Sequence, residues 1–106
     1  MNIVFCSLEM EKIANNSKEL RRVYGTQAAI VQKRLIQLEA APSMQDMSFG
    51  RPHALEWNYK WYIAIDIKQP YRIILRPIWV WNLSDWKTIV EVEIVELCYD
   101  YHRSHH

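Results

Sequence analysis

The run Tyr62-Ile-Ala-Ile-Asp-Ile67, Lys68-Gln-Pro-Tyr71, Arg72-Ile-Ile-Leu-Arg76 reads as two β-strands joined by a tight turn. Its first segment is too β-branched and too short to be a good helix, and its second returns at strand length, which makes a hairpin. Pro77 cannot donate to a ladder, so it ends the second strand or puts it at an edge. Beyond it, Trp79 to Trp86 is a longer excursion with Asn82-Leu-Ser-Asp85 as its turn. Thr88-Ile-Val-Glu-Val-Glu-Ile-Val-Glu-Leu97 follows as a final apolar strand. On the other side of the hairpin, His53-Ala-Leu-Glu-Trp57 reads as a further short strand.

The first half has a different period. Asn2-Ile-Val-Phe-Cys6 is a short opening strand, and Ser7 is placed to cap a first turn that includes Glu9. Ser17 with Glu19 opens a helix over Lys18 to Tyr24, which Gly25 stops. Thr26 then caps a second helix from Gln27 to Ala41, with Ala28, Val31, Leu35 and Leu38 on one apolar stripe. Pro42 ends it, and Ser43 to Asp46 has capping-box-like spacing for one more short turn. The order predicts an α+β fold, with N-terminal helices packed on one face of a small, mainly antiparallel twisted sheet. We expect residues 1–106 to form a single domain.

Composition excludes several classes. Half of the residues are apolar and only two are glycine, so the chain is neither disordered nor fibrous. Two cysteines, Cys6 and Cys98, are too few for a disulfide scaffold and form no CxxC metal motif; we expect reduced thiols, a cytoplasmic protein and no bound metal. No segment approaches the roughly 18 apolar residues of a spanning helix, and Met1 to Leu8 lacks the features of a signal peptide. Net charge is only +1, but its distribution is uneven. Between residues 12 and 34, Lys12, Lys18, Arg21, Arg22, Lys33 and Arg34 stand against Glu19 alone, whereas Glu91, Glu93 and Glu96 share one strand. One basic face and one acidic face are expected.

The polar groups that strands would hold rigidly are the candidates for chemistry. Strand alternation puts Arg72 and Arg76 on one face beside Ile74. Two guanidiniums there call for an anion: either a phosphate, held bidentately, or Glu91 or Glu93 of the neighbouring strand. Taken alone, His53 is a surface or satisfied structural histidine, and Lys60 belongs to a solvated turn. The aromatic run Trp57, Tyr59, Trp61 and Tyr62 is core, or a platform for bases. Past the last strand, Asp100, Tyr101 and His102 gather a carboxylate, a phenol and an imidazole.

In order, Ala40-Ala41-Pro42, Asp46-Met47, Gly50-Arg51-Pro52-His53-Ala54-Leu55, Trp61-Tyr62-Ile63-Ala64-Ile65, Tyr71-Arg72-Ile73-Ile74-Leu75-Arg76 and Tyr99-Asp100-Tyr101-His102 form a string. It resembles the HigB-type "killer protein" toxins of the RelE/ParE superfamily, over residues 17–102. Those chains carry R-x-H-x-L, a strand W/Y-x-I/V-x-I/V, a strand W/Y-R-I-x-F/L-R and a closing D-Y-H. The resemblance implies a RelE-like fold and an endoribonuclease that cuts mRNA in the ribosomal A site without a metal or other cofactor. It implies a helix-turn-helix, HigA-like antitoxin as partner, with DNA reached only through that antitoxin, and no membrane. By position, it implies an active site of His53, Arg72, Asp100, Tyr101 and His102, with Arg76 and Lys60 as further phosphate contacts. The cations Lys18, Arg21, Arg22, Lys33 and Arg34 would face ribosomal RNA, or else are the solvated sides of amphipathic helices.

Three features depart from the pattern. Glu56 stands where a lysine is common, residues 79–87 lengthen the connection before the last strand, and the tail runs four residues past His102. A non-catalytic inhibitor on the same scaffold, as ParE-type members that block DNA gyrase are thought to be, and a degenerate interaction module are the competing readings. The terminal Asp-Tyr-His counts against the first of these.

Overall fold

The computed structural model describes residues 1–56, 61–80 and 82–100. Five strands form one sheet in the order β1-β5-β4-β3-β2: β1 Asn2–Phe5, β2 His53–Ala54, β3 Ile63–Asp66, β4 Tyr71–Pro77 and β5 Glu91–Asp100. The helices α1 Leu8–Ala14, α2 Ser17–Tyr24 and α3 Ala28–Ala40 all lie between β1 and β2 in sequence. The hairpin pairs Ile63 with Leu75, Ile65 with Ile73 and Asp66 with Arg72, and β5 pairs antiparallel with β4. β1 runs parallel to β5, from Asn2 beside Glu91 to Phe5 beside Ile94. A parallel pair needs a long crossover, and the chain from the first helix onward supplies it.

Among the described residues, the helices cover one face only. Ile63, Ile65 and Ile67, with Ile73 and Leu75, and Val92, Ile94 and Leu97, pack against Leu20, Val31 and Leu38 in a common core. The stripe expected on α3 is buried at Ala28, Val31 and Leu38 and half-buried at Leu35. On the reverse face the alternate positions are Ala64 and Asp66 on β3, and Arg72, Ile74 and Arg76 on β4. That face carries the polar groups.

Helix boundaries follow local hydrogen bonding. Ser7 caps α1, its Oγ accepting from Met10 N at 3.1 Å, so the expected single turn extends to a full short helix. α2 is capped by Asn16 rather than Ser17: Asn16 Oδ1 accepts from Lys18 N and Glu19 N. We expect Asn16→Ala to lower stability by about 1 kcal/mol, read from the urea midpoint. Gly25 stops α2 with φ +58, as expected. Thr26, however, caps nothing. It sits inside a 3-10 turn, Gly25–Gln27, that runs directly into α3, where Gln27 at the cap position makes no side-chain cap bond. After Pro42, Ser43 Oγ donates to Asp46 Oδ2 around the 3-10 turn Met44–Asp46.

The last strand is displaced from Thr88–Leu97 to Glu91–Asp100. Its expected first residues are held elsewhere. Asp85 Oδ1 accepts from Lys87 N, and Thr88 Oγ1 donates to the carbonyls of Asn82 and Asp85, winding Trp86–Thr88 into a 3-10 turn. Short polar side chains bonded to nearby backbone compete with the ladder, and here they win. β2 likewise shrinks to two residues, and Trp57, Tyr59 and Lys60 lie outside the described residues. Pro77 ends β4, a central strand, so the edge alternative is excluded. No helix among the described residues is long and apolar enough to cross a membrane.

Candidate functional site

Two bulges in β5 decide which groups meet on the open face. Leu75 pairs with Ile94 and Ile74 with Glu96, so β5 carries one extra residue there; Arg72 pairs with Tyr99, which adds a second. Each extra residue resets the alternation. Glu91, Glu93 and Glu96 therefore share the open face although their spacing breaks period two. After the second bulge, Tyr99 joins Arg72 on that face, while Asp100, opposite Tyr71, turns to the other.

The two arginines of β4 have different partners. Arg76 meets Glu93, Nη2 to Oε1 at 3.0 Å, which is the carboxylate alternative raised for it. Arg72 meets neither Glu91 nor Glu93 in the pairing just described; its Nε lies 3.3 Å from Oδ1 of Asp66, directly across the hairpin. Arg72 and Asp66 side chains are only 14% and 20% exposed, so this pair is largely withdrawn from water. Oδ1 is itself buried without an aligned hydrogen bond, so the contact is an ion pair rather than a directed bond. The second oxygen, Oδ2, accepts from Nε of Arg51 at 2.9 Å.

Asp66 is tied down through its backbone as well. Its N–H donates to the Gly50 carbonyl at 2.6 Å, and its carbonyl accepts from Arg34 Nε at 3.1 Å. Arg34 also donates to Gln37, so this cation is half-buried and engaged within the fold. Gly50 has φ +74, and a Cβ there would meet Ile65 Cγ2 at 2.3 Å, which is why the residue before Arg51 has no side chain. The next carbonyl, that of Arg51, lies 2.8 Å from His53 Nδ1. His53 pairs with Ala64, and Ala64 with Ile74, so His53 belongs to the open face. From strand spacing and rise, the Cα atoms of His53 and Arg72 are about 12 Å apart, within reach of two long side chains facing one ligand.

The structure thus brings His53 and Arg72 to the open face with Arg51, Asp66 and Tyr99, and leaves Asp100 on the helix side. Tyr101, His102 and Lys60 lie outside the described residues. Lys18, Arg21, Arg22 and Lys33 are exposed on the helices, with Arg22 paired to Glu19 at 2.7 Å. Asp66 and Arg51 had no assigned role in the sequence reading. The signal available for Asp66 was one acid in an otherwise apolar strand, at the position the hairpin register sets opposite Arg72. Among the described residues, no three His, Cys, Asp or Glu side chains gather as metal ligands.

Asp100 is beside Cys98. Burial, and then the Asp100 carboxylate, push the Cys98 thiol up to about 11. Burial also raises the Tyr24 phenol, with the Cys98 charge adding to it. The unfolded chain releases the Cys98 proton near pH 9.0, before the folded chain does, so stability falls between about pH 9 and 11. We expect Cys98→Ala to flatten part of that alkaline decline in the thermal midpoint, with Tyr24 keeping the remainder.

Three helices over one face of a mixed five-stranded sheet, with a charged cluster on the open face, define a protein of the RelE-like α+β fold. The chain is similar to one in the YoeB–YefM complex from Staphylococcus aureus, with a TM-score of 0.56 at 18% identity, covering 95% of this chain and 98% of that one. It is also similar to a chain of a heterotetrameric YoeB–YefM toxin–antitoxin complex from the same organism, with a TM-score of 0.54 at 18% identity and the same coverage. No family model matches the chain, and no curated protein matches it in sequence.

Proposed function

We propose that the protein is the toxin of a type II toxin–antitoxin system and an endoribonuclease that cuts mRNA codons in the ribosomal A site. The observation that carries this reading is the placement of Arg72, largely buried on a central strand, on one open face with His53 and Tyr99 at the end where β5 leads into Tyr101 and His102. The likeness of fold to chains of toxin–antitoxin complexes supports it, and the string ending in Asp100-Tyr101-His102 supports a HigB-type member.

The chemistry needs no metal. The 2′-oxygen of the substrate attacks the adjacent phosphorus, a base takes its proton, and the 5′-oxygen leaves with a proton from an acid. Positive charge must meet the non-bridging oxygens as this happens. Arg72 supplies that charge, with Arg76 and Lys60 as outer contacts. His53 and His102 are the acid–base pair, and Tyr101 stacks on or hydrogen-bonds the nucleotide. Asp100, on the helix side of the sheet, is a positioning residue for the tail rather than a contact of the RNA. The exposed cations Lys18, Arg21, Arg22 and Lys33 meet ribosomal RNA phosphates. A helix-turn-helix antitoxin holds the protein inactive in the cytoplasm.

Induced expression in bacterial cells, with message ends mapped genome-wide, tests the reading. Cuts within translated codons are expected. Intact messages with induction of the DNA-damage response would instead place the protein with gyrase inhibitors.

A further inference from the structure

We propose that Arg51 is a second phosphate-contacting residue and that Asp66 is the positioning residue that sets Arg51 and Arg72 as one two-guanidinium clamp. This rests on the nuclease reading for its substrate, a single-stranded RNA phosphate. The two Nε atoms converge on the two oxygens of one carboxylate, at 2.9 Å from Arg51 and 3.3 Å from Arg72. Each contact runs through Nε, and the N–H groups of a guanidinium suit phosphate oxygens as they suit those of a carboxylate. Asp66 is shared by two guanidiniums, so its single charge does not by itself neutralise both.

Burial divides the labour. Arg72 is 14% exposed and fixed, whereas the Arg51 side chain is 66% exposed, so Arg51 can meet a ligand arriving from solvent without leaving Asp66. Asp66 is held in place through its own N–H, bonded to Gly50, and through its carbonyl, which accepts from Arg34. Arg51 in turn orients His53 through its carbonyl, at 2.8 Å from Nδ1. One carboxylate therefore ties together the phosphate contacts and, through Arg51, a candidate acid–base group.

The test compares wild type, Asp66→Asn, Arg51→Ala and Arg51→Lys, each checked for folding by its thermal midpoint. Two quantities are read: affinity for a short single-stranded RNA across a salt series, and the single-turnover rate of codon cleavage on programmed ribosomes. Arg51→Ala is expected to bind about tenfold more weakly, with the slope of log affinity against log salt shallower by about 0.7. Arg51→Lys keeps the slope but cleaves more slowly, because it loses the fork. Asp66→Asn removes a negative charge, so its RNA affinity is expected to hold or rise while cleavage slows at least tenfold. A purely electrostatic role would raise both quantities.

An unchanged salt slope in Arg51→Ala, or full cleavage by folded Asp66→Asn, overturns the proposal. If Asp66→Asn does not fold, the two Arg51 variants decide it. If wild type cuts no message, the nuclease reading fails, and the salt slope alone decides whether Arg51 contacts phosphate.

Discussion

Gly50→Ala is expected to remove about 3–5 kcal/mol of folding stability, a large share of what a domain of this size possesses. Two effects add. The backbone has φ +74, where an L side chain is strained, and the new Cβ would lie 2.3 Å from Ile65 Cγ2, 2.9 Å from Arg34 Nε and 3.0 Å from the Asp66 carbonyl oxygen. Ile65 is fully buried on a central part of the sheet, so it has little room to move. Gly25 is the comparison. Its φ is +58 and no atom lies within 4 Å of a Cβ there, so Gly25→Ala carries only the backbone strain, about 1–3 kcal/mol. Urea midpoints of the two variants measure the difference. Gly50→Ala also displaces the carbonyl that holds Asp66, so any folded fraction should show impaired chemistry.

Arg72→Ala is expected to slow codon cleavage by about 10²–10³-fold, the effect of losing one preorganised group that stabilises developing charge. On the proposed function, the loss should fall on the rate rather than on ribosome binding, because the exposed helix cations proposed to meet ribosomal RNA are untouched. Folding should survive. The Arg72–Asp66 pair is largely withdrawn from water, but Asp66 keeps its bond to Arg51, so about 3 kcal/mol of stability is lost. Arg72→Lys restores charge without the fork and should recover only part of the rate. Single-turnover cleavage and thermal midpoints, measured side by side, separate the two effects.

Much of the frame was legible in the residues. The hairpin announces itself by β-branched segments around a Gln-Pro turn, and α3 by a stripe every third or fourth residue that ends at a proline. Arg72 and Arg76 were placed on one face by alternation alone. What alternation could not show was where it resets. Nothing in Val95 to Cys98 marks the two bulges of β5, because the pattern of apolar residues there fits either phase, and the bulges are what put Tyr99 beside Arg72 and send Asp100 to the helix side. The parallel partnership of β1 with β5 depends on contacts distant in sequence. Asp66 was missed for a related reason: an acid in a strand acquires its meaning only once the register sets it against Arg72 and Arg51.

The claim on which the account turns is that the substrate's own 2′-hydroxyl is the nucleophile, aligned by the open face of this sheet. It is tested most directly with purified protein, programmed ribosomes and two messages that differ by one 2′-deoxy substitution at the scissile nucleotide of the A-site codon. The account predicts that the all-ribose message is cut to a 2′,3′-cyclic phosphate end, in the presence of a chelator of catalytic trace metals, and that the deoxy message stays whole. Equal cutting of both messages, or of neither, would contradict it.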